Sequence, residues 1–93
     1  MPQFITIHRA PGLSADMMAA NTPAVLRAEL AKFQQIYVNL AAGFIVSLVT
    51  ADTREQAEEQ MEILGFPVDE MHEVQFAQSR AEMEQLAAQL AGR

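Results

Sequence analysis

The sequence predicts a single α+β domain with the element order β-α-β-β-α-β followed by a C-terminal helix, the ferredoxin-like arrangement built on a four-stranded antiparallel sheet. Three observations predict it. Short strand-like runs alternate with segments of helical period. Helix starts are marked at Ser14, at Asp52 or Thr53, and at Ser79. The chain has 93 residues, 51% of them apolar, which is one domain's worth and too apolar for disorder. Residues 1–93 are read as one ferredoxin-like domain, with the C-terminal helix at about 80–91.

The first strand runs from Gln3 to Arg9, with strand character from Phe4, Ile5 and Ile7, and Pro11-Gly12 stops it. Ser14 caps the helix that follows, and Asp16 sits in the first turn, where the helix dipole favours an acid. Pro23 interrupts this helix, so a kink or two short helices is expected, with Thr22 capping the second. Phe33 to Asn39 and Phe44 to Thr50 are the next two strands, joined by a turn over Asn39 to Gly43 in which Gly43 can take a positive φ without strain. The second of these is almost wholly apolar, which predicts cover on both faces. The second helix carries Ala57, Met61 and Leu64 on one face and an acidic row on the other; Gly65 ends it and Pro67 forbids its continuation. His72 to Ala77 reads as the fourth strand, with His72, Val74 and Phe76 alternating against Glu73 and Gln75. Ser79-Arg80-Ala81-Glu82 is a capping box opening a helix with a Met83, Leu86, Ala87, Leu90 stripe.

Composition narrows the function classes. Net charge is −6, and the six basic residues form no stripe, which speaks against nucleic acid and an anionic membrane surface as partners. No cysteine is present, so disulfides, thiolate chemistry and Cys-based zinc sites are excluded. The N-terminal residues lack a signal-peptide pattern and the longest apolar stretch is too short to span a bilayer, so a cytoplasmic location is expected. Two helices cover one sheet face in this order of elements. The other face is apolar and bare, so a homodimer with stacked sheets is expected.

The acid-base inventory is short: His8 and His72 are the two histidines and Tyr37 is the one phenol. The order of elements makes the first and fourth strands antiparallel neighbours, which brings the end carrying His8 to the end carrying His72. Together with Glu73 or Asp69 they are the candidate metal-binding set, since imidazoles and a carboxylate suit a divalent transition metal. Arg9 and Tyr37 are the candidate ligand-binding residues, Arg9 because it can hold an anion bidentately. The bland reading is two ordinary surface or edge histidines. Phase decides between them: Val74 and Phe76 point His72 to an apolar face, while Ile5 and Ile7 put His8 on the opposite phase from the obvious core residues.

Three stretches carry a family likeness: His8-Arg9-Ala10-Pro11-Gly12, Phe44 to Ala51, and Gly65 to Val74. With them the chain resembles a family of small ferredoxin-like proteins, formerly a domain of unknown function, some of whose members are described as nickel-binding proteins. The resemblance implies a dimeric α/β barrel and, as an expectation, the binding of a divalent transition metal such as nickel. Three functional classes follow as expectations. The first is a small-molecule or transition-metal binding protein. The second is a small dimeric barrel enzyme, isomerase-like or monooxygenase-like, with His8 or His72 as its acid-base group. The third is a structural or interaction domain. A deep pocket lined by a histidine and apolar side chains favours the enzyme; a shallow cluster of His, Glu and Asp favours the binding module.

Overall fold

The computed structural model describes residues 1–92. Its elements are β1 (Gln3–Arg9), α1 (Ala15–Leu26), β2 (Ala31–Asn39), β3 (Phe44–Ala51), α2 (Arg54–Leu64), β4 (Glu70–Val74) and α3 (Arg80–Ala91). The sheet order is β2-β3-β1-β4, antiparallel throughout, which is the ferredoxin-like topology. No helix among the described residues is long and apolar enough to cross a membrane.

One sheet face meets α1 and α2. Its centre is Phe4, Ala31, Val49, Ala51 and Met71, against Ala57 and Met61 of α2. The sequence explains why α2 sits there. Thr53 caps it by accepting from the Gln56 N–H, and Gly65 closes it at φ 75°. Gly65 N–H donates to Glu62 O and Phe66 N–H to Met61 O, the paired bonds of a Schellman turn. That turn sends Phe66 inward and delivers Pro67 to the sheet. Gln60, on the same helix, is buried and accepts at Oε1 from the N–H groups of Leu30 and Ala31, tying α2 to the entry of β2. The sequence reading missed this glutamine, because an amide in an acidic helix looks like another solvated side chain.

Several expectations are corrected. α1 is one continuous helix and does not restart at Thr22. Pro23 lies near its end, the Arg27 N–H still reaches Pro23 O, and the Thr22 hydroxyl bonds back to Met18 O instead of capping a new helix. β3 is covered on one face only: Ser47, Val49 and Ala51 are buried, while Phe44, Val46, Leu48 and Thr50 are half-exposed. β4 begins two residues earlier than expected and in the opposite phase. Met71 is its core residue, and Phe76 lies beyond the strand, 79% exposed. The turn before β3 behaves as expected, and Gly43 is required there: its φ is 62°, and a Cβ would lie 2.5 Å from Ala10 O. α3 forms with the capping box of Ser79 and Glu82 but buries none of its residues, leaving Met83, Leu86 and Leu90 open. The chain is elongated accordingly, 51 × 31 × 22 Å.

Candidate functional site

Strand register settles where the two histidines lie. His72 pairs with Ile5, so both side chains rise from the bare face. His8, three residues from Ile5, belongs with Phe4 and Thr6 on the helix-covered face and is 4% exposed. The expected shared site of His8 and His72 does not exist within one chain, because the sheet separates them. His72 Nε2 is 3.2 Å from Glu70 Oε1, both side chains being open to solvent. Asp69 does not orient an imidazole: its Oδ2 accepts from the Arg9 backbone N–H at 2.7 Å, and its own N–H donates to Ile7 O. These bonds clamp the start of β4 to the end of β1. Glu73 lies opposite Phe4 at the sheet edge, exposed. Arg9 lies over the Phe44 ring, 5.7 Å from its centroid, and Tyr37 is 63% exposed. Both belong to the bare face, away from the helices.

His8 is held on three sides. Its Nδ1 is 2.8 Å from Pro67 O, and its Nε2 is 2.8 Å from Thr6 Oγ1. A carbonyl can only accept, so Nδ1 carries the proton; in the neutral ring Nε2 then accepts from the Thr6 hydroxyl. The edge of the ring meets Phe66, centroids 6.2 Å apart at 78°, and Phe66 in turn meets Phe33. A hydroxyl on a histidine that is oriented by a third group has the form of an activated nucleophile. Thr6 is 0% exposed, however, so no substrate reaches its oxygen. Both ring nitrogens are spent inside the protein, which leaves none for a metal. Among the described residues, no three His, Asp or Glu side chains are placed to hold one metal ion. The residues present therefore do not fit a nickel centre in the single chain.

What His8 does border is a cavity of about 530 Å³ between α1 and the sheet. α1 has no buried residue, so it stands off the sheet instead of sealing against it. Met17, Met18 and Val25 form the α1 wall; Phe33, Ile45 and Ser47 belong to the strand floor. Phe66 and Pro67 close the side toward α2, next to His8. The volume falls within the range of small-molecule sites, and the walls are mainly apolar with a few polar groups. Sequence reasoning missed it because a standoff between layers leaves no local motif. The one available signal was the methionine pair Met17-Met18, which reads equally well as core.

Fold and cavity together define a ferredoxin-like α+β domain with an apolar pocket beneath its first helix. No family model and no curated protein matches the chain. Among solved structures it is similar to the crystal structure of SCO4226 from Streptomyces coelicolor A3(2), with a TM-score of 0.70 and 28% identity, covering 82% of this chain and 99% of that one.

Proposed function

We propose that this chain is a small-molecule binding protein whose ligand sits in the cavity between α1 and the sheet. The observation that carries the reading is the gap between layers: a cleft of about 530 Å³, open toward solvent and mainly apolar in its walls, at a site where a packed domain of this size would have core. A histidine beside apolar walls is also what an acid-base enzyme would present. The spent nitrogens of His8 favour binding over proton transfer, since catalysis would first have to break one of two buried hydrogen bonds. They favour it over metal binding for the same reason.

The domain works, in this reading, as a homodimer joined through its bare sheet face. The central strands carry Ile5, Ile7, Val46 and Leu48 on that face, half-exposed in the single chain. The edge strands carry polar or amphipathic residues there, Tyr37 on one side, Glu70 and His72 on the other. An apolar centre inside a polar rim is the anatomy of a protein interface, and one self-complementary patch suffices for a two-fold pair.

The cavity reading is tested by filling the cavity. Val25→Trp, and independently Met18→Trp, place an indole under α1 at positions that are half-buried. Each variant is expected to melt within a few degrees of the wild type and to lose at least about tenfold in affinity for small aromatic probes measured by calorimetry. Undiminished binding in both folded variants would place the binding elsewhere.

A further inference from the structure

The residues around the cavity include no Asp, Glu, Lys or Arg, although the chain carries six basic and twelve acidic residues. Its polar members are amides, hydroxyls and one imidazole: Asn21, Thr22, Gln34, Gln35, Ser47 and His8. Several of these are already committed. The Thr22 hydroxyl donates to Met18 O, Gln34 Nε2 donates to Lys32 O and Thr50 Oγ1, and His8 has both nitrogens engaged. A carboxylate, phosphate or ammonium entering this space would shed part of its water against apolar walls and meet no countercharge.

We infer that the ligand of this cavity is uncharged: a mainly apolar molecule with ring character whose polar groups are hydroxyls or carbonyls. The inference rests on the binding reading above and adds the chemical class. The aromatic pair Phe33 and Phe66, set edge to face at 79°, and the thioethers of Met17 and Met18 supply contacts suited to a flat ring system. The walls and the field of the whole protein act differently on ions. With a net charge of −6 the field repels anions but attracts cations. A cation that is nevertheless rejected isolates the effect of the walls.

Three probes of nearly equal shape separate the possibilities: naphthol, naphthoate and naphthylmethylammonium. Each is titrated calorimetrically into the wild type and into Val25→Trp at neutral pH and physiological salt. Naphthol is expected to bind the wild type and to be lost in the variant. Both ions are expected to bind more than about tenfold more weakly, with any residual binding indifferent to the substitution. If either ion binds within about threefold of naphthol, and loses that binding in Val25→Trp, the uncharged class is wrong while the cavity remains a binding site. If none of the three binds in a way that Val25→Trp removes, the binding reading fails and the inference falls with it.

Discussion

His8→Ala is expected to destabilise the domain by about 3 kcal/mol, whereas His72→Ala is expected to stay within about 0.5 kcal/mol of the wild type. The contrast follows from the two environments. Removing the His8 ring strands the Thr6 hydroxyl, which is fully buried, and frees the Pro67 carbonyl. A buried polar group left without a partner costs about 1–3 kcal/mol, and the lost contact with Phe66 adds to it. Pro67 matters further because its carbonyl bond to His8 anchors the α2–β4 connection on the sheet. His72 offers only a solvent-exposed pairing with Glu70. Urea unfolding of the two variants, read as midpoint and slope, checks this. Equal losses would mean that His8 is not the buried hinge of the hydrogen-bond network described.

The second large effect concerns assembly. Ile7→Glu is expected to convert the proposed homodimer into a folded monomer, weakening association by at least about a hundredfold. Ile7 sits at the centre of the bare face, with Val46 and Glu70 as its cross-strand neighbours and Tyr37 one strand beyond Val46. A carboxylate there is solvated in the single chain, where the position is half-exposed, but would be buried without a countercharge between two stacked sheets. Glu70 beside it would add like-charge repulsion. Sedimentation velocity at micromolar concentration reads the result. A wild-type chain that sediments as a monomer, or an Ile7→Glu variant that sediments as the wild-type dimer, would contradict the sheet-face interface.

The parts of the fold that were legible in the sequence are those dictated by local chemistry. Thr53, Gly65 and Pro67 delimit α2 because capping and left-handed backbone are decided within a turn. Ser79 and Glu82 start α3 for the same reason. The order of strands and helices followed from changes of period. Strand phase did not. The alternation of His72, Val74 and Phe76 suggested a buried face, yet the pairing of Ile7 with Glu70, fixed by the remote clamp between Asp69 and the end of β1, puts Met71 inward. A slip of one residue reverses every side chain in a strand. In β1 the misleading feature is polarity. Thr6 and His8 occupy the covered face by satisfying one another, while Ile5 and Ile7 occupy the bare one. Hydropathy ranks these residues the other way round. The candidate site set of His8, His72, Glu73 and Asp69 rested on that phase, so it is dispersed across both sheet faces and an edge. Of its members, only His8 borders the cavity.

The cavity as a ligand seat is most directly tested by the methyl resonances of the methionines. In a protein labelled with ¹³C at the methionine methyl groups, Met17 and Met18 face the cavity, Met61 and Met71 are packed in the core, and Met83 lies on α3. Titration with naphthol is expected to shift the Met17 and Met18 signals together, in proportion to occupancy, and to leave the Met83 signal in place. Shifts confined to Met83, or a spectrum that naphthol leaves unchanged at saturating concentration, would contradict the proposal that the space beneath α1 is where this protein binds its ligand.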